Sequence, residues 1–352
     1  MSQPVVAALD AVRAFAAVYV VIHHLAHTYL INNKIEILTR FGQEAVMVFF
    51  ILSGFVIFAN EHYRIDKPEP YFGRRARRIY PALIVAIVLS TIVALWNGDL
   101  AQRFDLGELA ATLLNLQDVS ALKPGVISNA YLGNQPLWSL SYEIAFYIAF
   151  PFIMVRWRRA PNLTTHAIGA ACCLAYVSFA LLPNHFSLVA AYFLIWWAGA
   201  MAANAYLDGR RTLGAIRAPL LWLATLCIVA AGAVALHQGG RQMPGVYPYL
   251  PLRHFVTALL LLVVFFGPVG KWAANIFAVI PAPFAVVASI SYGLYIFHYP
   301  LLVQWSFAHS AFGFVVALAL LIALSFAADR MLNNALAKAA WARPRLQKTA
   351  EV

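Results

Sequence analysis

The sequence predicts an all-α polytopic membrane protein with about ten transmembrane helices and both termini in the cytoplasm. Three observations predict it. Of 352 residues, 62% are hydrophobic and only 11% are charged, with a mean hydropathy of +0.74. A soluble domain carries about 25% charged residues. Apolar stretches of the length that crosses a hydrocarbon core, about 20 residues, recur along the chain, and no long linker separates two domains. Lys and Arg collect in alternate connecting segments, as the positive-inside rule requires.

Taken in order, the apolar stretches lie near 11–31, 44–60, 79–97, 138–155, 166–183, 187–207, 219–236, 252–270, 284–306 and 311–328. Pro281 and Pro283 separate the eighth from the ninth, because proline cannot continue a helical hydrogen-bond ladder. An even number of spans puts both termini on one side. With the N-terminus in the cytoplasm, 18 Lys and Arg fall in inner segments and 6 in outer ones, Arg13 itself lying within a span. The chain thus divides into a membrane-embedded domain, 1–330, and a short basic cytoplasmic tail, 331–352. The net charge of +11 sits at span ends, where topology needs it, so it does not point to nucleic acid. Three cysteines in apolar runs, two of them adjacent, form neither a disulfide framework nor a metal-ligand spacing. Asp10 and Arg13 interrupt the first apolar stretch, and no small-residue cleavage site follows, unlike a cleavable leader.

The longest outer segment, 97–137, contains FDLGELAATLLNLQ. Its Leu106, Leu109, Leu113 and Leu116 recur at helical spacing and predict a short amphipathic helix on the outer surface. Such a helix either covers a substrate entrance or simply connects two spans.

Ionisable residues inside spans are costly and mark sites or pathways. Arg13 and His24 are eleven positions apart in LDAVRAFAAVYVVIHHL, three turns plus about 20°, so they share one helix face roughly 16 Å apart along the axis. A cation near one end and a titratable base deep in the span suit a long polar ligand. Taken singly, Arg13 also reads as a side chain snorkelling to headgroups, and His24 as a structural hydrogen-bonding group. His23 points about 100° away from His24. His27 shares the face of His24, yet no carboxylate or cysteine completes a metal-ligand set, and no metal is expected.

GRRARRIYP at 73–81 crowds four arginines ahead of the third span. Arg75 and Arg78 are three apart and share a face. The cluster suits phosphates through charge-assisted hydrogen bonds; it serves topology in any case, and anionic lipid is a rival ligand. Glu143, in PLWSLSYEIAFYIAFP, reaches the depth of His24 by rise arithmetic. A carboxylate there can orient an imidazole, or make an isolated interhelical hydrogen bond. SYGLYIFHYPLL puts Tyr295 and His298 on one face, suited to sugar stacking and hydrogen bonding or to plain aromatic packing. Ser53 and Gly54 in FFILSGF read first as close helix packing. No G-x-S-x-G elbow or P-loop is present.

Together, LDAVRAFAAVYVVIHH, FFILSGFVI, YFGRRARRIYP, PLWSLSYEIAFYIAFP and SYGLYIFHYPLL resemble, in order, the blocks of the acyltransferase 3 family of integral membrane acyltransferases. The resemblance implies a ten-helix enzyme of the bacterial inner membrane. It would take acyl groups, often acetyl, from cytoplasmic acyl-CoA. The acceptor would be a hydroxyl of a surface glycan, a lipid-linked sugar or an exopolysaccharide precursor. The family's Arg and His, ten residues between them, fall on Arg13 and His24, and its cytoplasmic arginine motif on Arg75 and Arg78. Arg13, Arg75 and Arg78 are then expected to bind acyl-CoA, His24 and Glu143 to be catalytic, and Tyr295 and His298 to meet the acceptor. This chain departs from many relatives by reading FAADRMLNNALAKAAW where they carry an acidic-proline signature. About 24 residues follow its last span, so no appended hydrolase-like domain is expected. Direct transfer is expected rather than a stable acyl-serine or acyl-cysteine, since the cysteines lack an activating neighbour in sequence and Ser53 lacks an elbow motif; a route through an acyl-histidine is the alternative. The rival from another class is a transporter or flippase for a lipid-linked glycan.

Overall fold

The computed structural model describes residues 3–29, 36–65, 68–237, 243–277, 282–332 and 334–335. Pro281 and nearly all of the expected basic tail lie outside them. The chain opens with α1 (Gln3–Tyr29), a short α2 (Glu36–Thr39), α3 (Gly42–Glu61) and α4 (Pro68–Asn97). A connecting segment follows with α5 (Leu100–Arg103), α6 (Leu106–Leu113) and two two-residue strands, β1 (Gln117–Asp118) and β2 (Ser128–Asn129), paired in parallel. Four long helices come next: α7 (Trp138–Arg159), α8 (Pro161–Leu181), α9 (His185–Leu207) and α10 (Arg217–Leu236). The last third holds α11 (Tyr249–Phe266), α12 (Pro268–Phe277), α13 (Ala282–Ser289), α14 (Ser291–His298) and α15 (Ala311–Phe326). Among the described residues, nine helices are long and apolar enough to cross a membrane.

Eight of the ten expected spans return as single helices with shifted ends, and two differ in form. The eighth stops at Phe266, where Gly267 turns extended (φ −83°, ψ −174°) and Pro268 starts α12. The ninth, expected over 284–306, is not one helix. It breaks between α13 and α14 at Ile290 and continues past His298 as a π-helical turn, Tyr299–Gln304. Pro300 explains part of this. It has no N–H to offer the Ile296 carbonyl one turn back, and that oxygen instead accepts from Asn134 Nδ2 at 3.2 Å. Pro151, inside α7, poses the same problem to the Tyr147 carbonyl, which accepts from the Tyr71 hydroxyl at 3.2 Å. Neighbouring helices thus satisfy the backbone groups that proline frees, as hydrocarbon surroundings require.

The core is the α3–α9 crossing. A Cβ on Gly54 would run into the Trp196 carbonyl, and one on Gly199 into that of Ile51. Each glycine therefore lets the opposite backbone approach, the small-residue packing that membrane helices rely on. Helix α9 is buried almost all round, from Leu188 to Ala205, matching its uniform apolarity. Phe150 packs edge-to-face on its Trp196, Phe146 tilts against the same ring, and Phe50 packs edge-to-face on Phe146.

The amphipathic helix expected over FDLGELAATLLNLQ forms as α6, capped by Asp105, which accepts from Glu108 N at 2.9 Å. It ends at Leu113, so Leu116 lies beyond it. The segment behind it is pinned by a buried ion pair. Lys123 Nζ lies 2.7 Å from Asp118 Oδ1 and 3.9 Å from the centre of the Trp138 ring, and Tyr142 donates to Asp118 Oδ2 at 2.7 Å. Burial pushes the Lys123 ammonium below its ordinary range, and Asp118 pulls it back. Further along, Gln304 Nε2 donates to Leu132 O at 2.7 Å and Asn97 Nδ2 to Gln304 O at 2.8 Å. The segment between α4 and α7 is thereby tied to the end of the π turn that follows His298.

Candidate functional site

A cavity of about 750 Å³ opens among α1, α3, α4, α7 and α14, within the range of small-molecule sites. Its wall holds five arginines, Arg13, Arg74, Arg75, Arg77 and Arg78, against two carboxylates, Glu143 and Asp329. Little more than one turn of α4 carries four of the arginines, and one helix face presents Arg75 and Arg78 together. Packing fixes their positions. The Arg75 guanidinium lies 5.8 Å from the rings of both Tyr71 and Tyr147, and 3.6 Å from Glu61. Arg78 lies 5.6 Å from the Tyr292 ring and 3.4 Å from Asp329. Arg74 clasps Glu61 through Nε at 3.0 Å and a second, shorter contact. Arg75 Nε is buried and has no protein partner, a donor held ready for a ligand acceptor.

Glu143 faces this cavity from α7. Its Oε1 accepts from Ser53 Oγ at 3.0 Å and from the Tyr147 hydroxyl one turn on, and Trp196 Nε1 donates to Ser53 at 3.2 Å. Ser53 therefore belongs to a polar wall as well as to helix packing. Among the described residues no hydrogen bond joins Glu143 to His24, so the sequence expectation of a Glu143–imidazole contact does not describe this geometry. Rise arithmetic fixes depth along a helix, and it leaves open which way the helix face turns.

His24 instead meets the C-terminal end of α14. Its ring centroid is 5.2 Å from that of His298 and 5.1 Å from that of Tyr299. His23 turns the other way, as the angular argument requires, and its Nδ1 lies 2.7 Å from Thr39 O. Tyr295 connects the two regions. It lines the arginine cavity, its hydroxyl is 3.0 Å from Ser139 Oγ, and its ring is 6.4 Å from that of His298. The structure thus gathers Arg13, Arg75, Arg78, Glu143 and Tyr295 round one cavity and sets His24 and His298 together beyond its Tyr295 wall.

Sequence reasoning missed three participants. Glu61 pairs with Arg64, Arg74 and Arg75. Tyr147 sits one turn from Glu143, a spacing that was readable. Asp329 appeared only as the place where an acidic-proline signature is lacking. It is buried in a π-helical turn, Ala327–Leu332, and its Oδ2 accepts from Gly293 N at 2.9 Å. A lone carboxylate in an apolar last span was the available signal. Among the described residues no cluster of three or more His, Cys, Asp or Glu is placed to hold a metal ion. Cys172 and Cys173 are buried and free.

Fold and site together define a polytopic membrane protein with an arginine-lined internal cavity and an imidazole pair beyond its Tyr295 wall. Residues 6–330 match a family model described as an acyltransferase domain, and the chain belongs to this acyltransferase 3 family. It is 28% identical over 240 residues to nodulation protein 10 of Rhizobium leguminosarum bv. viciae, covering 61% of this chain and 64% of that protein. It is 29% identical over 190 residues to the acyltransferase MdmB of Streptomyces mycarofaciens, 49% of this chain and 45% of the relative. The O-acetyltransferase OatA of Staphylococcus aureus is 28% identical over 155 residues, 42% of this chain and 24% of the relative. In each case the match spans less than two-thirds of the relative's length. No solved structure matches the chain.

Proposed function

We propose that the protein is a membrane acyltransferase moving an acyl group, acetyl first among candidates, from cytoplasmic acyl-CoA to a hydroxyl of a glycan or lipid-linked sugar. The observation that carries this reading is the single cavity into which Arg13, Arg75 and Arg78 all project, with His24 further along the same helix as Arg13. Five arginines against two carboxylates favour a polyanionic ligand. The family and the printed names of the relatives supply acyl transfer.

In this reading Arg75 and Arg78 hold the donor's phosphates, and Arg13 guides the arm toward Tyr295. His24 acts as general base on the acceptor hydroxyl. The hydroxyl oxygen bonds to the thioester carbon as its proton passes to His24. The carbon–sulfur bond then breaks, and the thiolate takes that proton to leave as free CoA. Glu143 enters as part of the polar cavity wall, engaged by Ser53 and Tyr147. Tyr295 and His298 border the place where donor and acceptor meet, and the acceptor arrives beneath the outer segment. The arginine mouth faces the cytoplasm of a bacterial inner membrane, with both termini on that side.

Purified protein in detergent, given acetyl-CoA and octyl glucoside as a hydroxyl acceptor, is expected to release CoA and acetylate the sugar. A flippase would release none, and that result would replace this reading. Reporter fusions at each terminus and near residue 120 test the orientation. An externally active reporter at either terminus would overturn the cytoplasmic donor path.

A further inference from the structure

His298 presents an unusual pair of facts. It is completely buried, and its Nε2 has no hydrogen-bond partner. Its Nδ1 lies 3.0 Å from the Leu294 carbonyl oxygen. A carbonyl only accepts, so Nδ1 carries the proton and Nε2 of the neutral ring is a bare acceptor. The core therefore holds a lone pair, fixed in direction by a backbone bond and facing no donor of its own.

The ring beside it is His24, with centroids 5.2 Å apart and planes tilted by 35°. Two imidazoles joined by one N–H···N bond have centroids about 5 Å apart, two ring radii plus a hydrogen bond of about 3 Å. The two rings are at that spacing without the bond being made. Among the described residues, neither His24 ring nitrogen has another hydrogen-bond partner, so a small χ2 rotation toward His298 breaks nothing. Tyr299 packs edge-on at 5.1 Å and His23 at 4.9 Å, bounding that rotation. The titratable groups around His24 are His23 and His27 on its own helix, His298 on α14 and Tyr299 on the π turn. No carboxylate is among them.

We propose that His298 is the positioning residue for His24: its bare Nε2 accepts the hydrogen bond of one His24 ring N–H and so turns the other ring nitrogen, unprotonated, toward the acceptor hydroxyl. This rests on His24 being the base. His298 then does for His24 what a carboxylate does in a hydrolase triad, holding tautomer and orientation. It does so as a neutral ring, which suits a site where a fixed negative charge would be costly to bury. As His24 takes the hydroxyl proton, its other N–H stays directed at His298. No proton needs to pass to His298, and its own bond to Leu294 persists throughout the cycle.

The test combines a spectroscopic readout with kinetics on the full chain in detergent. Nitrogen-15 NMR of histidine-labelled protein, assigned with His24→Gln and His298→Gln, is expected to show His298 with Nδ1 protonated and Nε2 bare. It is also expected to show one dominant His24 tautomer. His298→Ala should convert that tautomer into a mixture. In turnover of acetyl-CoA with octyl glucoside, His298→Ala should lower kcat about 100-fold, the lower end of what a general base contributes, with KM for acetyl-CoA unchanged. His298→Gln, which can place an amide oxygen near the Nε2 position, should recover at least about tenfold of that loss. Equal losses in the Ala and Gln variants, an effect on KM alone, or an unaltered His24 tautomer in His298→Ala would each overturn the proposal. If the wild type releases no CoA, the acyltransferase reading fails by itself, and the NMR result still decides whether the two rings are coupled.

Discussion

At the arginine end of the site, Arg74 and Arg75 lean on Glu61 and Arg78 on Asp329, and each of Arg75 and Arg78 also lies near an aromatic ring. At the histidine end no carboxylate is present among the described residues, and His298 keeps an unsatisfied nitrogen in the core. The first arrangement holds charges in place before a ligand arrives, so little ordering entropy remains to be lost on binding. The second leaves hydrogen-bonding capacity unspent, which suits a proton that moves. In the proposed acyltransferase, the contrast gives ground-state binding to one end and bond making to the other.

The comparison can be broken most decisively at His24. His24→Ala is expected to cut turnover by at least about 100-fold while acetyl-CoA affinity, followed by calorimetry, stays near the wild-type value. A comparable loss of affinity would mean that the ends do not divide binding from chemistry. Next in size is the Arg75→Ala, Arg78→Ala double variant. Losing a charge-assisted contact to phosphate costs about 1.5–3 kcal/mol, so affinity for acetyl-CoA should fall roughly ten- to hundredfold or more, with kcat at saturation little changed. Unchanged affinity in a folded double variant would return the cluster to topology or lipid binding.

These two predictions draw on features read from sequence, and their neighbours show where that reading stops. The span pattern, the shared face of Arg13 and His24 and the Arg75–Arg78 pair are local properties of helix periodicity. Partners from distant helices are not. Asp329 meets Arg78 across 251 positions, and nothing in either segment announces the other. The His24–His298 contact and the engagement of Glu143 by Ser53 depend on the rotation of each helix about its axis, which interhelical packing decides. The break at Ile290 and the π turn were hidden because the stretch, despite Ser289, Ser291 and Gly293, has the length and overall apolarity of one span. Pro300 marked the turn, and its effect depends on Asn134 arriving from the segment between α4 and α7.

Two smaller effects sharpen the contrast. Asp329→Asn removes the charge facing Arg78, a partly exposed cation, so the pair's loss is worth about 0–1 kcal/mol. Acetyl-CoA affinity should change by less than about fivefold, whereas a collapse of binding would show that the carboxylate, not the arginine alone, builds the mouth. His23→Ala should be the mildest. It gives up the bond to Thr39 O, about 1 kcal/mol of stability, visible as a slightly lower melting temperature with turnover largely retained. Equal inactivation by His23→Ala and His24→Ala would dissolve the distinction between packing and catalytic histidines.

The buried Lys123–Asp118 pair bears on how the protein is made. Both residues lie in the segment ahead of α7, and the rings that cover Lys123, Trp138 and Tyr142, lie on α7 itself. During synthesis the segment emerges before that helix exists, so its two charges must stay hydrated until α7 has inserted. Half of the arrangement is worse than none, since a buried charge that loses its partner costs about 3–5 kcal/mol. The segment between α4 and α7 is therefore expected to close only once α7 is in place, and a nascent chain halted before residue 142 to leave that face of the protein open.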